Sequence, residues 1–351
     1  MTSIQPTIRE VPLSDHQEEV IELWRRNLSG AAPGDARRKM HAGYLNNPAG
    51  AGRGLLLHNG SDDVTVGVIC LHPRRLHLGN RVVDANTLAD FAVDAGYRTL
   101  GPALMLMKRA VALASSAESL LYALPNQKSA AVCKRAGLGT VGELSRYARV
   151  VSGRHPLVAK WSRALRPISA PLVTLTLSVI DSFRSLRLRP MLRFESAAFD
   201  DLAVDILWAR RPRDLLLNER TSTMLRWRYN RAATDNWQLC LARDATGDVA
   251  GTVVWRLRDG IAEVSDFFTT DPARLTATLL HGFSRHARSA GAHGVSLEFF
   301  GQTGVVGELK RSGFKARDEP RPVVIGALPP PLAAVGNREL WYLTSFDSDA
   351  D

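Results

Sequence analysis

The apolar positions follow two spacings along the chain, and the switches between them mark the elements. Residues 7–11 read as a first strand. Ser14-Asp15-His16-Gln17-Glu18 predicts a helix start, with Ser14 as N-cap and Gln17 three residues on. Val20, Leu23 and Trp24 then fall on one helix face. A second helix is expected over about 35–45, ending at Tyr44-Leu45-Asn46-Asn47-Pro48. Strands over 54–58 and 64–72 flank a turn at 59–63, and residues 74–86 read as polar strand or loop. Leu88, Phe91 and Val93 make a central strand that breaks at Ala95-Gly96. Residues 98–103 read as a turn, and Ala103 to Ala114 form a strongly helical run. A strand over 119–124, a short helix opening at Asn126 and a last strand over 139–150 complete this half.

The next stretch differs in kind. Leu157, Trp161, Leu165, Ile168, Leu172, Leu175 and Val179 recur at helical spacing, which predicts two helices broken at Pro167 and Pro171. Residues 152–193 carry eight Lys/Arg against one acid, so +7 of the chain's formal +10 lies in this stretch and belongs largely to the connector. Its apolar stripe either packs on a neighbouring domain or, with its basic flanks, makes peripheral contact with a membrane or a partner through 156–190.

Beyond Met191 the chain repeats itself. Asp90-Phe91 recurs as Asp266-Phe267, and Lys134-Arg135-Ala136-Gly137-Leu138 as Lys310-Arg311-Ser312-Gly313-Phe314, both 176 residues on. Two anchors at one offset indicate a duplicated domain. The same shift carries Arg98 to Arg274, Gly101 to Ala277, Pro102 to Thr278 and Asn126 to Gln302. The expected organisation is therefore residues 1–151, a connector 152–190, and a second half 191–351.

Arg98-Thr99-Leu100-Gly101-Pro102-Ala103, with strand before and helix after, resembles the acetyl-CoA loop of the GNAT (GCN5-related N-acetyltransferase) acyltransferases, (Arg/Gln)-x-x-Gly-x-(Gly/Ala). Asn126 followed by a short helix and Gly137-Leu138 resembles that family's next element. The resemblance implies an α/β fold of two tandem GNAT-like domains, each a mixed, mostly antiparallel sheet flanked by helices. It implies direct transfer of an acyl group from acetyl-CoA, or a longer acyl-CoA, to an amine or hydroxyl of a small-molecule or glycan-type acceptor. The backbone of Phe91, Ala92 and Val93 would pair with pantetheine. The turn amides of Thr99, Leu100, Gly101 and Ala103 would take the pyrophosphate, since a helix start leaves its N–H groups unpaired. Arg98 would assist with phosphate charge, or stand as a solvated turn residue, and Asn126 belongs to the same cofactor site. Without the glycine, the second half reads as an impaired CoA binder that walls the acceptor pocket.

Asp90, a carboxylate within the central strand, is the candidate general base, against a structural role shared with Asp266. Where the family places a tyrosine acid this chain has Cys133, a candidate thiol donor that reads equally as a small buried hydrophobe. His41 and Tyr44 are the first acceptor-pocket candidates, with Trp227, Arg228 and Tyr229 as the second half's counterpart. Two rivals share the duplicated fold or the loop: a Fem-type transferase using aminoacyl-tRNA, and a non-catalytic acyl-CoA sensor or assembly protein.

Composition narrows the classes. The chain is 45% hydrophobic and 23% charged over 351 residues, ordinary for a globular protein of two domains. Cys70, Cys133 and Cys240 lack metal spacing, which predicts no metal site and a reducing, cytoplasmic setting. The charge is local, which argues against a general DNA-binding face. The N-terminus lacks a signal-peptide core, and no apolar run reaches about 18 residues.

Overall fold

The computed structural model describes residues 6–28, 33–60, 64–116, 119–155, 166–188, 191–230, 236–317 and 320–348. The first half runs β1 (Thr7–Pro12), α1 (Gln17–Asn27), α2 (Pro33–Lys39), β2 (Arg53–His58), β3 (Thr65–Leu78), β4 (Arg81–Val93), α3 (Leu100–Ser116), β5 (Leu120–Ala123), α4 (Gln127–Arg135) and β6 (Gly139–Val150). After α5 (Arg166–Arg187) come β7 (Arg193–Ala197), α6 (Leu202–Ala209), β8 (Leu216–Asn218), α7 (Ser222–Tyr229), β9 (Gln238–Arg243), β10 (Val249–Arg258) and β11 (Ile261–Thr269). The rest is α8 (Pro272–Ser289), β12 (Gly294–Gly301), α9 (Thr303–Arg311), β13 (Lys315–Ala316), β14 (Arg321–Ile325) and β15 (Trp341–Leu343). The architecture is the expected mixed α/β one, mostly antiparallel, with parallel pairs at β4–β5, β11–β12 and β8–β15.

The stretch read as polar strand or loop is a hairpin instead. β3 and β4 stay paired from Leu78↔Arg81 onward, turning at Gly79-Asn80, with Gly79 at φ +61°. Alternating polar residues hid these strands because their outward face meets the other half rather than a core. Ser14 does not cap α1. His16 is the cap residue, and Ser14 Oγ donates to Asp15 while Gln17 reaches back to the Ser14 carbonyl. The second helix ends in a π-helical turn, Met40–Leu45.

The repeated Lys-Arg-x-Gly motif is a helix stop. Gly137 (φ +98°) and Gly313 (φ +92°) adopt the left-handed conformation after α4 and α9. In each copy the next amide returns to the helix, Leu138 N to Cys133 O at 3.1 Å and Phe314 N to Leu309 O at 3.0 Å. This satisfies carbonyls that a helix end would otherwise leave unpaired.

The halves are interleaved. β6 gives residues 139–144 to β14, then 145–150 to β12. β14 also pairs with β5, so a strand from each half completes the other's sheet. Among the described residues all fifteen strands form one sheet.

α5 runs through Pro167 and Pro171 without the expected break; Pro167 lies in its first turn, where a missing N–H costs little, and Pro171 lies one turn further on. Leu157, Trp161 and Leu165 of the first connector helix lie outside the described residues. α5 packs through its polar side. Thr174 accepts from Gly153 N, Ser178 from Arg288, and Ser185 bonds His281. Asp181 pairs with buried Arg149. Burial, then the Arg149 charge, pushes His281 down to about 4, so it bonds Ser185 as a neutral ring.

Arg220 lies at the centre of the second half, 2% exposed. Its guanidinium bonds Asp266 at 3.0 Å and Asp347 at 3.0 Å. Burial works against its charge, but the two carboxylates outweigh it and hold the guanidinium protonated. Arg220→Ala would leave both carboxylates buried without their cation, which costs about 3–5 kcal/mol. Urea denaturation should show that loss, whereas Leu175→Ser on the outer face of α5 should leave stability unchanged.

Candidate active site

β4 carries a bulge. Its register with β3 runs to Cys70↔Ala89 and resumes at Val68↔Ala92, and Asp90 adopts φ +48°. A non-glycine residue pays for that conformation, and such a bulge re-aims its side chain. The Asp90 carboxylate, 6% exposed, is turned onto the α1–α2 side of the sheet. There Lys39 Nζ donates to Oδ1 at 2.6 Å, and the Tyr44 hydroxyl to Oδ2 at 2.5 Å. Tyr44 lies in the π-helical turn, a distortion common at functional sites.

An aromatic layer continues from Tyr44. Its ring lies 4.8 Å from His72, and His72 meets Trp227 edge-on at 5.7 Å. His72 Nε2 bonds the Gly43 carbonyl, and Trp227 Nε1 donates to Ala42 O at 2.6 Å. The second half thus walls the first-half site through α7. Burial, then the Asp90 charge, pushes the Cys70 thiol well above its usual range, so it is a neutral part of this layer. Arg74 is 2% exposed over the Trp227 ring, and none of its guanidinium nitrogens has a hydrogen-bond partner among the described residues.

A cleft opens where the parallel strands part. β4 and β5 pair only from Ala85↔Leu120 to Thr87↔Tyr122. Among the described residues no strand pairs with β4 on that side from Leu88 to Val93. The cleft leads to the six residues 94–99 and to the start of α3. α3 begins at Leu100 rather than Ala103, so Gly101 and Pro102 lie in its first turn. A Cβ on Gly101 would meet nothing nearer than Thr99 Oγ1 at 3.9 Å, which leaves room for a phosphate against the backbone. A 17-residue helix, whose first-turn amides have no intrahelical acceptor, fits such an anion.

The expected cofactor residues divide. Phe91, Ala92 and Val93 lie beside the cleft, and Leu100, Gly101 and Ala103 open α3. Thr99 N–H is already used, donating to Tyr97 O at 2.7 Å. Arg98 is a latch: it bonds Val93 O at 2.9 Å and Asn27 Oδ1 at 2.8 Å, tying the loop to β4 and α1. Asn126 caps α4, accepting from Lys128 N and Ser129 N at 3.0 Å. Cys133 is 1% exposed in the core between the sheet and α3, with burial pushing its thiol up to about 11. His41 is exposed and away from Asp90, whereas Tyr44 touches it. Lys39 and Arg74 carried no motif in the sequence. Asp84 also lies in β4, but on its exposed outer part.

The second half repeats this frame and closes it. β11 and β12 part after Val264↔Leu297. β15 bridges the gap, paired with Gly301 of β12 through Tyr342, whose hydroxyl donates to Phe267 O of β11. The Tyr342 ring lies 5.2–6.2 Å from Phe299, Phe267 and Phe268. Only residues 270–271 separate β11 from α8, against six in the first half. Arg274 and Ala277 therefore lie inside α8, and the Ala277 amide donates to the Glu308 carboxylate. Asp266 does not bond loop amides but holds Arg220 and Thr344.

No family model and no curated protein matches the chain. Solved structures do. A GCN5-related N-acetyltransferase from Anabaena variabilis aligns at TM-score 0.63 and 12% identity, over 91% of this chain and 72% of that one. A probable N-acyltransferase from Enterococcus faecalis gives 0.61 and 12%, over 92% and 73%. Saccharomyces cerevisiae N-myristoyltransferase with bound myristoyl-CoA gives 0.54 and 11%, over 94% and 86%.

Proposed function

We propose that this chain, which has the fold of the GCN5-related N-acetyltransferases, is an acyl-CoA-dependent acyltransferase with its donor site in residues 1–151. Residues 191–351 complete the fold and the acceptor wall without binding a donor, and 152–190 connect them. The contrast between the halves carries this reading. The first keeps an open cleft, a six-residue loop and a free α3 start, and the second fills the same cleft with Tyr342 and shortens the loop to two residues.

Bound acetyl-CoA, or a longer acyl-CoA, would supply an activated thioester carbon. Amides of Leu100, Gly101 and Ala103 would hold the pyrophosphate, with Arg98 keeping the loop in place. The edge of β4 over Phe91–Val93 would pair with the pantetheine. Holding both substrates in line supplies much of the rate. Asp90, positioned by Lys39 and Tyr44, would take the proton from the attacking amine or hydroxyl as the new bond to carbon forms and the C–S bond breaks, with CoA leaving as a thiolate that takes its proton from water. Cys133, packed in the core, is assigned to structure rather than to proton donation. The buried charge of Arg74 favours an acceptor that carries negative charge.

Calorimetry with acetyl-CoA and longer acyl-CoAs tests the donor site. The expected result is micromolar binding, weakened at least ~100-fold in Gly101→Glu, whose side chain would fill the phosphate position. Asp90→Asn should lower turnover roughly 10²-fold or more with donor affinity kept, and Cys133→Ala should keep turnover. Absence of acyl-CoA binding would overturn the reading and return the aminoacyl-tRNA alternative. Binding without turnover of any amine or hydroxyl acceptor would favour the sensor.

We further propose that α5 docks the protein on an anionic membrane surface. Its polar side faces the protein, while Leu172, Leu175, Val179, Ile180, Phe183 and Leu186 face outward, each 40–69% exposed. Arg187 lies exposed beside the stripe, and the connector 152–190 carries +6. From Leu172 to Leu186 the stripe is about 20 Å long and about 10 Å wide. An outward apolar stripe with a basic flank suits the interface of an anionic bilayer. No helix among the described residues is long and apolar enough to cross a membrane. Vesicles containing phosphatidylserine should sediment the protein, and Leu175→Ser with Phe183→Ser should reduce the bound fraction at least ~10-fold. No binding, or a dimer in solution broken by the same changes, would contradict it.

A further inference from the structure

A cavity of about 470 Å³ opens beside the closed cleft of the second half. Its charged lining is Arg146, Arg228, Arg256 and Arg321 against Glu263 and Glu298, four cations and two anions, or +2. Two of the arginines are matched. Arg256 bonds Glu263 at 2.8 Å, and Arg321 bonds Glu298 at 2.7 Å. Arg228, 7% exposed, donates to the Ser348 carbonyl at 3.0 Å. The Arg146 side chain has no hydrogen-bond or ion-pair partner among the described residues. It projects from β6, the strand exchanged between the halves, beside Glu298 in the register.

The remaining lining is that of a site for a hydroxyl-rich ring. The carboxylates of Glu263 and Glu298 each offer about four lone-pair sites, of which the arginines use only part. Ser296 lines the wall as well, with Ser265, Ser345 and Ser348, whose hydroxyls already bond Tyr229, Glu298 and Arg321 and keep only their remaining capacity for a ligand. Trp237 adds a flat apolar wall, held by Arg256 at 4.3 Å from its ring. A simple phosphate would gain nothing from the carboxylates and tryptophan, and a neutral sugar nothing from Arg146.

We propose that this cavity binds a sugar bearing a phosphate or carboxylate group. The anion meets Arg146, the hydroxyls meet the serines and glutamates, and one ring face lies on Trp237. Guanidinium suits either anion, because both offer paired oxygens. The assignment stands independently of acyl transfer. The cavity nevertheless shares α7 with the first-half site, because Trp227, one residue before Arg228, walls Tyr44 and His72.

Calorimetry without any CoA compound tests it. The probes are the 6-phosphates of glucose, mannose, galactose and N-acetylglucosamine, glucuronate and galacturonate, the parent neutral sugars, and inorganic phosphate. At least one anionic sugar should bind ~10-fold or more tighter than both its neutral parent and inorganic phosphate. Whether phosphates or uronates prevail identifies the anion. Arg146→Ala, at an exposed position with no partner to lose among the described residues, should weaken that binding at least ~10-fold, and Arg146→Lys should restore part of it. Binding of acetyl-CoA should not change in either variant. The proposal is overturned if every anionic sugar binds no better than its neutral parent or inorganic phosphate, or if Arg146→Ala leaves the affinity unchanged.

Discussion

Strands β4 and β5 hold together over three residue pairs and then separate, and the cleft proposed for the donor is that separation. The bulge at Asp90 lies just beyond the last shared pair. One extra residue there turns β4, exposes its edge along Phe91–Val93, and swings a carboxylate to the opposite side of the sheet. The same irregularity thus exposes the strand edge proposed for the donor and turns the candidate base toward Lys39 and Tyr44. The unpaired edge has a cost in backbone hydrogen bonds, which a ligand lying along it would offset.

The second half shows the same divergence handled without a ligand. β11 bulges at the matching place, with Asp266 paired to Val254 and Val264 to Trp255. The C-terminal segment then enters the gap. Tyr342 covers the strand edges, and Asp347 brings a second carboxylate to Arg220. Shortening the β11–α8 loop and starting α8 earlier removes the exposed amides, and Glu308 takes one that lies deeper. Interleaving β6 and β14 between the sheets holds this closed half against the open one.

Local signals were legible in the sequence. The run from Arg98 to Ala103, the Asn126 cap and the Gly137 and Gly313 stops each depend on a few neighbouring residues with special backbone demands, and each lies at its expected boundary or within a turn of it. The 176-residue offset holds at both anchors because four residues lost before α8 are regained after it. What the sequence did not show depends on distant contacts. Lys39 and Arg74 belong to no motif, and only the bulge and α7 bring them into one layer with Asp90 and Trp227. The exchange of β6 is set by the other half's edges. Ser14 failed as a cap because α1 starts only at Gln17, which leaves Ser14 two residues before the cap position His16. The apolar stripe of α5 was visible, but its outward orientation follows from Asp181 finding Arg149.

Hydrogen–deuterium exchange of the full chain with and without acetyl-CoA tests the central claim most directly. The account predicts slower exchange over residues 91–104 at the β4 edge and the α3 start, with peptides covering 264–278 and 341–348 unchanged. Protection of the second-half peptides, or none over 91–104 at saturating acetyl-CoA, would contradict it.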